Sequence, residues 1–266
     1  MTAPAAPPLL LVTRPAREAA RWVQELHALG LAAQALPLID IGAAPNAAAV
    51  AQVRRGLASF RAVMFVSANA VEGLLGAAGA DAAACATWPA GGQGPRAWAT
   101  GPGTRQALRA AGVPPALIDA PAADAAQFDS EALWARVHKQ VSPGDRVLIA
   151  RGGDAQGRPA GRNWLAGELA SAGARVETLV AYVRRPPVWT DAQRRAAASP
   201  GAWWLLSSSE ALANLPAVLP GYDVEGARAL CTHPRIADAA RAAGFGRVET
   251  VQPLLTSVAA FLQSGE

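Results

Sequence analysis

The sequence predicts an α/β protein with two similar domains, each a parallel β-sheet of about five strands flanked by helices. Short apolar runs typical of buried strands alternate with amphipathic helical patterns. Units of strand, turn and helix follow one another at the spacing of parallel sheets, and the same series occurs twice in the 266 residues. That length suffices for two small cores. A TIM barrel would need eight equivalent units, and fewer are visible.

The first unit of each copy is a strand, a polar turn and a helix that stops at glycine. In the first copy the strand is Leu9–Val12, the turn is Thr13-Arg14-Pro15, and the helix ends at Gly30 with an apolar face of Ala19, Trp22, Val23, Leu26 and Leu29. In the second copy the strand is Arg146–Ala150, the turn is Arg151-Gly152-Gly153, and the helix ends at Gly173 and contains Trp164, Leu165 and Leu169.

The second and third units repeat in the same way. Ala62–Val66 precedes Ser67-Ala68-Asn69 and a helix through Leu74, and its counterpart Ala202–Leu206 precedes Ser207–Ser209 and a helix through Leu212 and Leu215. Arg96–Thr100 precedes Gly101-Pro102-Gly103-Thr104, and Arg228–Thr232 precedes His233-Pro234-Arg235. The helices of this third pair are predicted to end at Gly112 and Gly244.

Two further extended segments, Ala32–Ile41 and Arg175–Val183, follow the first helix of each copy. The stretches Ala35–Ile41 and Leu179–Arg185 could each be an edge strand or a connector between domains, and periodicity does not separate these alternatives. Gly91–Pro95 and Asp119–Asp129 are predicted loops because they are rich in Gly, Pro and Asp.

The composition excludes several classes of protein. Hydrophobic residues make up 52% and charged residues 17% of the chain, which is typical of a globular protein rather than a disordered one. The apolar runs are too short to span a membrane, and Met1–Pro8 lacks the pattern of a signal peptide. Cys85 and Cys231 stand far apart outside any CxxC motif, so we expect buried thiols in a reducing cytoplasm, without a disulfide framework or zinc site.

The positive charge comes from arginine. The net charge is +4, and Lys139 is the one lysine among the 24 Lys and Arg residues. A GC-rich genome would account for this excess, although guanidinium groups also suit carboxylates and phosphates. The arginines are scattered rather than gathered on a basic helix, so no nucleic-acid partner is expected.

The predicted strand ends carry hydroxyl, glycine and arginine residues but no Asp or Glu. Ligands of parallel sheets bind at the carboxyl ends of the strands, where helix N-termini favour anions. We therefore predict an anion-binding cleft, although Ser67, Asn69 and Ser207–Ser209 would also serve as N-caps without any ligand. The candidate binding residues are Thr13, Arg14, Ser67, Asn69, Gly101, Thr104, Arg151, Ser207, Ser208, Ser209, His233 and Arg235.

Catalytic groups are scarce. His27 and His138 are expected in solvent, and His233 has no neighbouring carboxylate in the sequence to orient it. No catalytic triad, Walker loop or dinucleotide fingerprint is visible. Tyr182, one of two tyrosines with Tyr222, lies in the extended segment Leu179–Arg185. It is either a packed strand residue with a wet hydroxyl or a functional group.

In combination these motifs resemble the uroporphyrinogen-III synthase family. The resemblance runs from about Leu9 to Gln263 and rests on the order of motifs that are weak singly. They are Thr13-Arg14-Pro15, Phe65–Val71, Gly101–Thr104, Leu148–Gly152, Tyr182–Arg185 and the serine-rich turn at Ser207. The resemblance implies two α/β domains joined by a two-stranded connector, with residues 1–38 and 184–266 in the first domain and residues 39–183 in the second.

The resemblance also implies a cofactor-free, metal-free lyase of haem biosynthesis that cyclises hydroxymethylbilane with loss of water and inversion of ring D through a spiro intermediate. Tyr182 matches the family tyrosine proposed to assist departure of the hydroxyl, and Ser67, Thr104 and Ser207–Ser209 match turns that hold substrate carboxylates. The family's last turn is commonly Gly-Pro-Thr-Thr, whereas this chain has His233-Pro234-Arg235-Ile236. Arg235 is our candidate replacement for the missing threonines.

Two alternatives to the enzyme stay open on the sequence. Two α/β lobes also occur in solute-binding and sensor proteins, and the altered turn at His233 would suit a regulatory paralogue without activity. For the enzyme we expect a cytoplasmic monomer that makes transient contact with the upstream hydroxymethylbilane synthase and binds no membrane.

Overall fold

The computed structural model describes residues 8–76, 88–89, 94–122, 129–221 and 224–264. Its strands are β1 (Leu10–Val12), β2 (Ala33–Ala35), β3 (Asp40–Ala43), β4 (Ala62–Phe65), β5 (Arg96–Ala99), β6 (Ile118–Asp119), β7 (Arg146–Gly153), β8 (Arg175–Arg185), β9 (Trp203–Leu206), β10 (Arg228–Cys231) and β11 (Arg247–Thr250). Its helices are α1 (Ala16–Ala28), α2 (Ala47–Arg55), α3 (Ala68–Leu75), α4 (Pro102–Ala110), α5 (Ser130–Val137), α6 (Trp164–Ser171), α7 (Asp191–Ala197), α8 (Ser209–Leu212), α9 (Leu215–Val218), α10 (Pro234–Ala242) and α11 (Leu255–Ser264).

The strands form two sheets with the same spatial order. The first sheet runs β2-β1-β9-β10-β11, and the second runs β8-β7-β4-β5-β6 with β3 outside β8. Every pairing within these two five-strand series is parallel. Both sheets therefore have the doubly wound strand order 2-1-3-4-5. In this five-strand order the chain begins at position 1 (β1) in the first sheet and at position 3 (β4) in the second. The predicted α/β fold with two similar parallel sheets is confirmed.

The chain divides into two compact units, Met1–Asp40 with Arg185–Glu266, and Ile41–Arg184. We call them unit 1 and unit 2. The chain passes from one unit to the other within β3 and again within β8, and these two strands are hydrogen-bonded neighbours. The extended segments are thus both strands and connections: Ala32–Ile41 supplies the edge strand β2 and the start of β3, whereas β8 is an inner strand of the second sheet.

Helices cover both faces of each sheet. In unit 1, Leu11, Trp204 and Cys231 pack on one face and Leu10, Trp203 and Leu230 on the other. In unit 2, α2, α3 and α4 cover the face that carries Phe65 and Ala150, while α5 and α6 cover the opposite face. Burial on both faces explains why these strands are continuous apolar runs rather than alternating ones.

Several local predictions are wrong. The first-copy helix ends earlier than its apolar pattern, so Leu29 is its C-cap and is 49% exposed. The predicted helix through Leu212 and Leu215 is two short helices, because Pro216 in the first turn of α9 has no N–H to donate back to the preceding turn. Asp119, predicted in a loop, ends β6 and pairs with Arg96 through two bonds of 2.6 and 2.8 Å.

The strand Arg146–Ala150 is longer than predicted, because β7 continues through Arg151 and both glycines to Gly153. Its partner β8 has one extra residue, Ala181, between the pairs Arg151–Val180 and Gly152–Tyr182. Such a bulge turns the residues beyond it onto the other face of a strand. Tyr182 therefore lies on the face covered by α3, together with Leu179 and Ala181.

The bulge is matched by a glycine on α3. A Cβ atom on Gly73 would overlap the Ala181 carbonyl oxygen, so no side chain fits between α3 and β8 at this point. Glycine in a helix interior costs about 1 kcal/mol relative to alanine. The close approach of α3 to the bulged strand β8 requires glycine at position 73.

We expect Gly73→Ala to destabilise the protein by about 1–3 kcal/mol, because a backbone oxygen is harder to displace than a side chain. The melting temperature should fall by about 2–4 °C for each kcal/mol. Gly167→Ala is the matched control, since a Cβ there meets no atom within 4 Å in α6. Equal melting temperatures of the two variants would contradict the proposed close packing.

Cys231 is a fully buried free thiol in β10. Burial raises its pKa to about 11, so very little thiolate exists at pH 8. In a Cys85→Ser background we expect Cys231 to resist a thiol reagent in native buffer and to react fully in denaturant. Rapid labelling of the native variant would show that this thiol is accessible. Cys85 itself lies outside the described residues.

Candidate functional site

The polar turns of unit 1 lie together at the carboxyl edge of its sheet. Because the strands are parallel and Val12 pairs with Leu205 while Leu206 pairs with Cys231, the turns after β1, β9 and β10 follow one another along this edge. The order of the sheet changes direction between β1 and β9, which is where doubly wound proteins bind ligands.

The turn after β1 is largely engaged in internal contacts. Thr13 is 2% exposed, and its hydroxyl donates to the Leu205 carbonyl at 2.6 Å, so it ties β1 to β9. The Arg14 guanidinium donates to Glu18 at 3.2 Å and lies 4.4 Å from the centroid of the Trp22 ring. The Arg14 Nε is buried and has no acceptor among the described residues.

The polar side chains of the turns after β9 and β10 are more exposed to solvent than those of the turn after β1. Ser208 is the N-cap of α8 and accepts from the Ala211 N–H, whereas Ser207 and Ser209 are half-buried and make no side-chain hydrogen bond within the described chain. His233 is exposed and caps α10, with its Nδ1 accepting from the Arg235 N–H at 3.1 Å. Its Nε2 is then the ring's donor. The Arg235 side chain is exposed.

In unit 2 the turns after β4 and β5 are helix N-termini. Ser67 caps α3 and accepts from the Ala70 N–H at 3.2 Å. Asn69, predicted as a possible cap, lies inside the first turn of α3 and does not cap it. Gly101 is the N-cap residue of α4 in extended conformation, and Thr104 is buried in the first turn of that helix. Thr100 connects the two turns by donating to the Val66 carbonyl at 3.2 Å.

Arg151 is predicted on a turn, and this prediction is wrong. It lies inside β7, because the strand continues past it. It is 5% exposed and is held by Asn163 Oδ1 at 2.5 Å and the Arg162 carbonyl at 3.0 Å. Burial first, and the nearby positive charge of Arg184 second, lower the pKa of its guanidinium, while Tyr182 acts in the opposite direction. Arginine keeps its charge even so.

The buried Arg151 guanidinium has no carboxylate partner in the described part of the chain, and its Nε has no acceptor. An unsatisfied buried donor costs about 1–3 kcal/mol, and more when it is charged. A carboxylate entering beside Arg151 would remove that cost. Arg14 and Arg151 occupy corresponding places in the two copies. In each of them the Nε atom is buried and lacks a hydrogen-bond acceptor within the described structure.

Tyr182 lies near Arg151 in unit 2. The whole residue is 2% exposed and belongs to the apolar core under α3. Its hydroxyl oxygen accepts from Ser67 Oγ at 3.1 Å and from Arg184 Nη2 at 2.9 Å. The bulge at Ala181 brings the tyrosine, the cap of α3 and the arginine together, which the sequence did not show.

A comparison with models of protein families identifies the family of this chain. The model described as uroporphyrinogen-III synthase HemD matches residues 20–257, which is most of the chain. The chain belongs to the uroporphyrinogen-III synthase family. Members of this family are cyclising lyases of tetrapyrrole biosynthesis. The family predicted from the order of the motifs is confirmed.

Solved uroporphyrinogen-III synthase structures share the fold. A mutant uroporphyrinogen III synthase from the extremely thermophilic bacterium Thermus thermophilus is 18% identical, with a TM-score of 0.55 over 97% of this chain and 99% of that chain. The uroporphyrinogen-III synthetase of Helicobacter pylori is 14% identical, with a TM-score of 0.59 over 97% of this chain and 100% of that chain. Among curated proteins no sequence matches.

Sequence reasoning missed two residues beside Tyr182, although each left a signal. Arg184 is two residues after Tyr182, and alternate residues of a strand share a face. Gly152 is a glycine in a strand interior, which often marks the close approach of another group. Here that group is the Tyr182 ring, whose Cζ would lie 2.7 Å from a Cβ on Gly152.

The described residues contain no cluster of three or more His, Cys, Asp or Glu that could hold a metal ion. No described helix is long and apolar enough to cross a membrane. The described strand ends carry hydroxyl, amide and guanidinium donors.

We expect a small tricarboxylate to stabilise the protein through Arg151. At ten times its Kd, citrate should add about 1.4 kcal/mol, or roughly 3–6 °C in melting temperature, beyond a chloride control of equal ionic strength. Arg151→Met should reduce this increment, whereas Arg175→Met, an exposed arginine at the start of β8, should retain it. An identical citrate effect in both variants would show that Arg151 binds no anion.

Proposed function

We propose that this chain is an active uroporphyrinogen-III synthase. It binds hydroxymethylbilane, expels the terminal hydroxyl as water, and closes the macrocycle through a spiro intermediate that inverts ring D. Family membership supports the reaction, and the buried Arg151 without a carboxylate partner supports an anionic ligand. Without an enzyme the bilane closes to the uninverted isomer I, so the task of the protein is chiefly to hold the chain in the geometry that leads to isomer III.

The substrate carries carboxylates on all four pyrrole rings, and we propose that the strand-end donors bind them. Among the candidate residues, Asn69, Thr104, Ser207, Ser209 and Arg235 have side chains without an internal hydrogen bond in the described structure. Thr13 is already satisfied by Leu205, so we assign it a structural role. Arg14 is largely buried, but its partner Glu18 is exposed to solvent, so exchanging Glu18 for a substrate carboxylate should cost little.

The last turn of unit 1 departs from the usual family pattern, and we propose that His233 and Arg235 take over the carboxylate contact there. His233 Nε2 and the Arg235 guanidinium are donors on an exposed turn at the start of α10. The positive end of that helix favours an anion at the same place. A charged donor would replace two hydroxyls. Ser208 would supply a backbone contact at the neighbouring end of β9, and Gly101 would supply one at the end of β5 in unit 2.

In the chemical step we propose Tyr182 as the proton donor to the departing hydroxyl. General acid catalysis of this kind contributes about 10²–10⁴-fold. The remaining donors hold carboxylates and perform no proton transfer, and no cofactor takes part. We further propose that the protein works as a cytoplasmic monomer and receives the unstable bilane in transient contact with hydroxymethylbilane synthase.

The test of the function is a coupled assay. Porphobilinogen and hydroxymethylbilane synthase generate the substrate, this protein is added, and the uroporphyrin isomers are separated after oxidation. Isomer III should predominate. If only isomer I forms, the chain is a binding protein or a regulatory paralogue rather than an enzyme.

We expect Tyr182→Phe to lower kcat for isomer III about 100-fold while the far-ultraviolet circular dichroism stays unchanged. Tyr222→Phe, the other tyrosine of the chain, is the control and should retain full activity. Wild-type kcat in Tyr182→Phe would exclude a proton transfer by this hydroxyl.

A further inference from the structure

We propose that Arg184 and Gly152 are positioning residues that orient Tyr182 for proton donation. Arg184 occupies a lone pair of the phenol oxygen, and Gly152 leaves the space in which the ring lies. The phenolic proton is thereby reserved for the substrate. This inference rests on the proposed function, in which Tyr182 protonates the departing hydroxyl.

The direction of the hydrogen bonds carries the first part of the argument. A guanidinium has donors only, so the 2.9 Å contact between Arg184 Nη2 and Tyr182 uses a lone pair of the phenol oxygen. Ser67 Oγ accepts from the Ala70 N–H and donates its own proton to the same oxygen at 3.1 Å. Both neighbours therefore give protons to Tyr182, and neither takes the phenolic one.

The same contacts serve the charge that forms in the reaction. The C–O bond of the hydroxymethyl group breaks with its electron pair going to oxygen, and that oxygen takes the Tyr182 proton and leaves as water. The carbon becomes the azafulvene cation and Tyr182 becomes a phenolate. Donors to an oxyanion make stronger hydrogen bonds than donors to a neutral oxygen. The phenolate regains its proton from the ring carbon that loses one when the closed pyrrole becomes aromatic again.

Gly152 determines where the ring lies. The pairing of β7 with β8 sets Gly152 opposite Tyr182. A Cβ atom on Gly152 would lie 2.7 Å from Tyr182 Cζ and 2.9 Å from its hydroxyl oxygen. Any side chain would push the phenol away from Ser67 and from Arg184, whose guanidinium carbon is 5.5 Å from the ring centroid.

The decisive variant is Arg184→Met, which keeps the length of the side chain and removes its donors. We expect kcat for isomer III to fall about 10- to 100-fold with little change in KM, because the lost hydrogen bond is to a group that becomes charged in the transition state. Arg184→Lys should recover part of the rate. Arg185→Met is the matched control, since the neighbouring Arg185 bonds to Asp40 instead. A raised KM with unchanged kcat would make Arg184 a substrate-binding residue and overturn the inference.

A double variant shows whether Arg184 acts through Tyr182. In a Tyr182→Phe background, Arg184→Met should cause no further loss of kcat, because no phenolic proton remains to be oriented. A second loss of the same size would overturn the inference. Wild-type protein that yields only isomer I would refute the proposed function and this inference with it, whereas active wild type with an equally active Arg184→Met would refute the inference alone.

Gly152→Ala tests the position of the ring, with Gly167→Ala as the control for a glycine that touches nothing. We expect kcat to fall at least tenfold in Gly152→Ala with the fold retained, as the ring end shifts by a few tenths of an ångström or more. A folded Gly152→Ala with wild-type kcat would contradict the assigned role. Should this variant fail to fold, the Arg184 variants still decide the inference.

Discussion

The close approach of α3 to β8 is the constraint on which the candidate site depends. Gly73 lets the helix meet the Ala181 carbonyl, and Ala181 is the extra residue that turns Tyr182 onto the helix-covered face. The N-cap of the same helix, Ser67, then lies within hydrogen-bond distance of the tyrosine. The bulge disrupts the strand ladder at this point, and Gly73 leaves α3 without a side chain where it contacts the bulge. The position of Tyr182 is thus set by backbone packing.

The two units have the same sheet order but place their polar groups differently. In unit 1 the residues after β9 and β10 include the exposed donors His233 and Arg235. In unit 2 the corresponding edge contains buried groups, Arg151 and Tyr182, that are linked to Asn163 and Arg184. The duplication repeats the sheet order, whereas the side chains at the strand ends have diverged between the two copies.

The electrostatics of the site explain how a reaction of this kind proceeds on so few titratable groups. Guanidinium, hydroxyl and amide donors attract a polycarboxylate and add no repulsion of their own. Burial and the nearby charge of Arg184 lower the pKa of the Arg151 guanidinium, so the two positive charges lie close together in unit 2. Preorganised donors of this sort do not reorient when charge develops, which lowers the cost of forming charge beside them.

The sequence by itself determined the fold class, the duplication and the family, because strand and helix periods, glycine stops and the order of motifs are local properties of the chain. It also placed Ser67 and Ser208 at helix N-termini, where short polar side chains satisfy free N–H groups. Only the tertiary structure decided that Arg151 lies within a strand and that Tyr182 meets Ser67 and Arg184. These facts depend on strand register and on one bulge, which arise from packing between residues far apart in the chain and leave no periodic trace in it.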